Sequence, residues 1–296
     1  MHWLKRLAMS GIEAPGTSED FLIRLENVLD RRQPIDSLKA LSFAINAKTV
    51  SRSSAEKNIK KIAIGFDSSV FLRLASHQRS ADIIDYLSNK HAGPIVLPGQ
   101  AIQDFWNNQL TVVDSIAKSV KKAFDNLTSE VTKIDKSFGD YHDKFVSLID
   151  DFSSQYGHIY DSQTLRKIET VFDTLQGRAI LSYVPRSRFV SIASHRKSTK
   201  TPPGFKDEGD GDFFIWTDFL YGLFLSQKKG IEFDCVVILT NDKKIDWSRS
   251  GVAHPILTAE VDELFRVIFH AWTIDEFCAA IDKSADPGET TKNFSD

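Results

Sequence analysis

Four aspartates stand where strands give way to helices, or inside the helix start that follows: Asp67, Asp104, Asp212 and Asp242. In a parallel sheet every strand points the same way, so residues following the strand ends share one crevice. Carboxylates crowded there repel one another unless a cation lies between them. A hard divalent ion such as Mg²⁺ takes oxygen ligands and suits the set. A centre of this kind hydrolyses phosphodiesters by activating water and stabilising the leaving oxygen. Each acid taken alone has a plainer reading. Asp67 could cap the following helix, Asp207 to Asp212 could be a solvated acidic turn, and Asp242 could be a turn residue.

The elements that must position these acids are legible as patterns. Lys61-Ile-Ala-Ile-Gly-Phe-Asp67 reads as a strand, followed at once by a helix from Ser68. Gly93-Pro-Ile-Val-Leu-Pro98 is a second strand, with a helix after Pro98. Asp234 to Thr240 has a fully apolar, largely β-branched centre, as in a central parallel strand buried on both faces. A last strand is expected over Phe265 to Trp272, leading into a helix near Ile274. From Val113 to Phe152 apolar residues recur in steps of three and four, which predicts a long helix folding back as a hairpin near Gly139 or Tyr156-Gly157. Leu165, Ile168, Phe172 and Leu175 add another helical stripe. At the N-terminal end, Phe21, Leu22, Leu25 and Val28 form an amphipathic stripe behind a capping region at Thr17 to Asp20, and a second short helix opens after Pro34.

Between Asp173 and Asp207 there is no acid, while Arg178, Arg186, Arg188, Arg196, Lys197, Lys200 and Lys206 accumulate. Such a segment could hold a phosphate backbone in a salt-dependent way, or be a solvated loop. His195 within it reads as a phosphate neighbour rather than a general base. Trp216 and Trp247 read as packing residues rather than base-stacking platforms.

The motifs together resemble a known family. Gly65-Phe-Asp67-Ser-Ser-Val-Phe-Leu, Pro98-Gly-Gln-Ala-Ile-Gln-Asp104, Pro202-Pro-Gly-Phe-Lys-Asp207 with Gly211-Asp212-Phe-Phe-Ile-Trp216, and Leu239-Thr-Asn-Asp242-Lys-Lys-Ile-Asp246-Trp247 are similar to the ordered motifs of PIN-like nucleases. The likeness is to the bacterial branch with a helical insertion. It implies an α/β, three-layer fold with a central, mainly parallel sheet. On this division residues 1–60 are a helical extension, 61–285 the nuclease domain with an insertion over 110–176, and 286–296 a flexible tail. The resemblance makes Asp67, Asp212 and Asp242 ligands of Mg²⁺ or Mn²⁺ and puts Asp104 where the family has Glu, one methylene longer. It leaves Asp207 and Asp246 in supporting roles, and Gln109 replaces a customary basic residue. The implied activity is metal-dependent cleavage of RNA or single-stranded nucleic acid, in the manner of a toxin or anti-phage defence effector. Arg186, Arg188, Arg196, Lys197, Lys200 and Lys206 would hold the nucleic acid. The shortened Asp104 also leaves open a degenerate binding module, with the arm over 110–176 recruiting a protein partner or a second copy.

Composition narrows the classes further. With 296 residues, 42% hydrophobic and 11% aromatic, the chain buries a sizeable core, so disorder is excluded for most of it. Twenty-one Phe against two Met imply a stiff aromatic interior. No apolar run is long enough to span a bilayer, and the segment before Ser10 lacks a signal-peptide core. Two cysteines, Cys235 and Cys278, in apolar settings suit a reducing cytoplasm. A net charge of −3 means that nucleic-acid affinity must arise from a local patch.

Overall fold

The computed structural model describes residues 16–46, 59–131, 133, 139–156, 163–241, 245–249 and 251–285. Five strands form one parallel sheet: β1 (Ile62–Phe66), β2 (Ile95–Pro98), β3 (Ala179–Ser182), β4 (Cys235–Leu239) and β7 (Ile268–Trp272). Their order is β3-β2-β1-β4-β7, and every pairing is parallel. A two-stranded hairpin, β5 (Ser248–Arg249) and β6 (Val252–Ala253), lies apart from it. The chain runs outward from β1 through β2 to β3, then returns to the other side of β1 with β4. The β1/β4 boundary is therefore the topological switch point, where the connections diverge and leave a crevice at the strands' carboxyl ends.

Alternation along β1 decides what each face receives. Phe66 points to one face and meets Phe71 of α3 (Ser68–Ser76), ring centroids 6.1 Å apart. Phe71 in turn packs edge-on against Phe105 of α5 (Gly99–Val131) and against Phe172 of α7 (Gln163–Arg178). Gly65 points the other way, where a Cβ would run into the Phe219 ring of α9 (Gly211–Lys228). Its missing side chain lets α9 lie directly on the sheet. Gly222 does the same against Val96 and Ser182. This is a three-layer α/β/α sandwich. Shorter elements complete the layers: α4 (Ser80–Asp85) with a π turn (Tyr86–Lys90), α8 (Arg186–Ser198), α10 (Pro255–Phe265) and α11 (Ile274–Ala285).

The N-terminal helices are built into this sandwich. In α1 (Ser18–Leu29) the Thr17 Oγ1 accepts from the Asp20 N–H, and the Asp20 carboxylate accepts from the Thr17 N–H, the reciprocal pair of a capping box. Its stripe is buried, and Phe21 stacks on Phe224 with centroids 4.2 Å apart. The second helix, α2 (Ser37–Asn46), follows.

Three expectations need correction. The final strand begins at Ile268 rather than Phe265, because Arg266 takes a left-handed conformation (φ 57°) and ends α10 there. The basic segment is not a loop: it contains β3 and α8. The hairpin does turn at Gly139 (φ 64°), between α5 and α6 (Tyr141–Tyr156), but its stripe is not uniformly buried. Val131 is buried, whereas Leu127, Phe145 and Leu148 are exposed; side chains 108–121 and 152–165 lie outside the description. The last stripe is different again. Ile168 and Leu175 of α7 are buried in the main core, so this helix is part of the sandwich.

Candidate active site

Asp67 follows β1 immediately and sits at the N-cap position of α3, yet its carboxylate makes no capping hydrogen bond to that helix. The carboxylate is instead held sideways. Its Oδ2 accepts from Ser69 Oγ at 2.6 Å and from Thr240 Oγ1 at 2.8 Å. Thr240 is the first residue after β4, and its N–H donates to the Trp272 carbonyl at the end of β7. Asn241 N–H reaches Ser69 Oγ at 3.1 Å. The acid at the switch point is thus tied across the β1/β4 boundary, and Asp67 is 4% exposed.

Asp104 lies in the second turn of α5, one helical turn after Gln100. The Gln100 side-chain amide donates to Asp104 Oδ1 at 2.8 Å. Burial pushes the Asp104 carboxyl above the ordinary carboxylate value, and the negative charge of Asp67 pushes it the same way; Gln100 and Arg186 act in the opposite sense. The two acids therefore share one electrostatic environment. Gly211, the first residue of α9, comes close to Asp104: a Cβ on it would stand 2.8 Å from Asp104 Oδ2.

Asp212 is one residue further along α9. It follows an acidic loop and lies inside the helix start. A side-chain donor fixes it, Trp247 Nε1 to Asp212 Oδ2 at 3.0 Å. The neighbouring Asp246 is fully buried, and its Oδ2 accepts from the Gly204 N–H at 3.0 Å. Gly204 has φ 80°, and a Cβ there would stand 2.9 Å from the Asp212 Cβ. Asp246 and Trp247 thus hold, from consecutive positions, the turn beside Asp212 and Asp212 itself. Asp207 lies in the loop after that turn, its N–H donating to the Gly204 carbonyl. Asp242 lies outside the described residues.

The basic residues divide by burial. Arg196 is 3% exposed and donates to Glu260 and to the carbonyls of Leu29 and Pro202. It has no surface to offer a phosphate, so its expected contact with nucleic acid is corrected to a core ion pair. Arg188 closes on Glu26 and Glu19 and clamps α1 to α8. Lys197 folds over the acidic loop, donating to the Glu208 and Gly209 carbonyls. Lys200 and Lys206 are exposed, as is His195. Arg186 alone borders the carboxylates, and its partner is an acid that sequence reasoning missed. Asp218 is fully buried in α9 and accepts four times: from both Arg186 terminal nitrogens at 2.7 Å, from Val184 N–H at 2.8 Å and from Gln100 N–H at 2.9 Å. One carboxylate thereby locks the starts of α5 and α8 to α9. It sits inside a strongly apolar helix, where no motif distinguishes it. Trp216 and Trp247 are both buried, as expected of packing residues, whereas Trp106 on α5 is 72% exposed.

The family model of a PIN-like domain matches residues 133–259. Over that span the chain is similar to a PIN-like domain. The matched span contains Asp207, Asp212, Asp242 and Asp246, while Asp67 and Asp104 precede it. No curated protein and no solved structure matches the chain.

The fold is thus of the nuclease type, and the donor chemistry of its crevice fits a hard divalent cation. Asp67 and Asp104 are oxygen donors whose mutual repulsion such an ion would relieve. Among the described residues no three His, Cys, Asp or Glu side chains converge closely enough to hold a metal by themselves. No described helix is long and apolar enough to cross a membrane.

Proposed function

We propose that this PIN-like domain is a divalent-metal-dependent nuclease that hydrolyses phosphodiester bonds in RNA or single-stranded nucleic acid. The observation that carries the reading is that Asp67, at the β1/β4 switch point, and Asp104, in α5, stand in one another's field. Asp67, Asp104, Asp212 and Asp242 would hold Mg²⁺ or Mn²⁺. The ion, when bound, supplies stabilisation of the negative charge that develops on the phosphate. The chain's own groups do the positioning. Ser69 and Thr240 fix Asp67, Gln100 turns Asp104 by its Oδ1, and Trp247 fixes Asp212. Asp104 would position a second ion or the attacking water. Lys200 and Lys206 are exposed cations for the flanking backbone. A role as a toxin or defence effector in the cytoplasm accords with this activity and with two buried, free cysteines.

A second reading is a binding module that has lost catalysis. Asp in place of Glu at position 104 favours it.

The variant Asp212→Asn separates the two. It removes one charge but retains an acceptor for Trp247. Cleavage of mixed RNA and DNA in Mn²⁺ should fall by at least roughly 100-fold, while binding in EDTA persists or tightens. Wild-type protein that binds but cleaves neither polymer with Mg²⁺ or Mn²⁺ would support the binding module instead.

A further inference from the structure

Beside the carboxylates, α5, α8 and α9 line an open surface cleft of about 470 Å³. Its walls are Gln100 and Gln103 from α5, Arg186 and Ser187 from α8, and Asp210 and Phe214 at the start of α9. Gly211 also lines it and abuts Asp104 Oδ2, so the cleft opens next to the crevice. Resting on the nuclease reading, we infer that this cleft is a nucleobase subsite, which takes an unstacked base from the single strand next to the scissile phosphate.

Charge and shape both point to a base rather than a phosphate. Arg186 is about one-third exposed, but its guanidinium is already paired through both terminal nitrogens with the buried Asp218. Asp210 adds a second carboxylate to the lining, partly offset by Lys197 at 3.9 Å. The cleft therefore carries no surplus positive charge. What Arg186 still offers is a rigid plane. It lies over the Phe214 ring, 4.6 Å from the centroid, with the Tyr183 centroid at 6.0 Å, and is pinned at its edge by Asp218. Bases stack on planes of this kind, on aromatic rings and guanidinium groups alike. Gln103, exposed on the opposite wall, offers both a donor and an acceptor, and Asp210 accepts only, which suits an exocyclic amine on the base edge. A base held within a duplex cannot enter. The subsite thus gives the domain a physical reason to prefer single strands.

The test uses the full chain in EDTA, so that cleavage does not interfere, with three short probes: a single-stranded oligonucleotide bearing one 2-aminopurine, the same strand with an abasic position there, and the duplex of the first. Wild-type protein should change the 2-aminopurine fluorescence on binding and should bind the intact strand roughly tenfold more tightly than the abasic one, with the duplex weaker still. Ser187→Leu places an apolar group in the cleft from an exposed helix position and should erase the difference between intact and abasic strands. Arg186→Lys keeps the charge and removes the plane, and should erase it too. Equal binding of intact and abasic strands by wild type would overturn the subsite and indicate a phosphate site, as would a base dependence undiminished in folded Ser187→Leu. Cleavage in Mn²⁺, measured separately, keeps the readings apart. Cleavage without base dependence removes the subsite alone; base-dependent binding without any cleavage retains it and removes the nuclease.

Discussion

Asp104 is where the chemistry of single residues is easiest to measure. Burial raises its carboxyl above the ordinary value first, and the charge of Asp67 adds to this. Replacing Asp67 by Asn removes the second cause and leaves the first, so the Asp104 carboxyl should titrate lower in Asp67→Asn than in wild type. NMR of carboxyl-labelled protein reads this directly; an unchanged or higher value would show that the two acids do not share a field. The carboxylates Asp67, Asp104 and Asp212 were legible in the sequence because each stands in a short motif of distinctive order. Asp218 was not. It is embedded in Ile215-Trp-Thr-Asp218-Phe-Leu220, where local pattern predicts only a buried helix, and its four donors come from segments far away in the chain. Arg196 misled for the same reason. Its sequence neighbours are basic, but its partner Glu260 arrives from α10, 64 residues later.

At the scale of elements, close contact between α9 and β1 sets where Asp212 stands relative to Asp67. Gly65 makes that contact, and Gly65→Ala would drive a methyl into Phe219. Both residues are buried in elements with little freedom to retreat, so the expected loss is about 1–3 kcal/mol in a urea melt, with activity reduced as α9 shifts. Stability equal to wild type would mean that the α9–sheet distance is not fixed there. β1, β2, β4 and most of β7 could be read in advance because parallel strands buried on both faces are short, continuous apolar runs bounded by breakers. β3 could not, being an edge strand with Leu181 exposed inside a segment marked by its basic residues. The helical hairpin could be read from its period, and its turn from Gly139. Burial along the hairpin could not be read, because a 3–4 spacing states which residues share a face and not whether another element covers it. Leu127, Phe145 and Leu148 share the stripe with Val131 but stand in solvent.

Over the whole molecule, α1, which precedes β1, is bound into the sandwich. Leu25 is completely buried, Arg188 joins α8 to Glu19 and Glu26, and Arg196 reaches the Leu29 carbonyl at the end of α1. Leu25→Ala should therefore destabilise the entire domain by about 2–5 kcal/mol, in a single transition seen by both far-UV CD and tryptophan fluorescence. A separate early transition, or no loss, would show that α1 folds independently of the sheet. The same architecture places the β1 and β4 ends side by side, and the central claim is that Asp67 at that junction works as part of a metal-dependent nuclease centre. The most direct measurement is the cleavage rate of an end-labelled single-stranded RNA by wild type and Asp67→Asn, each with Mn²⁺ and with EDTA. The account predicts cleavage by wild type in Mn²⁺ only, with Asp67→Asn folded and inactive under both conditions. Cleavage that survives EDTA, or that Asp67→Asn retains in full, would contradict it.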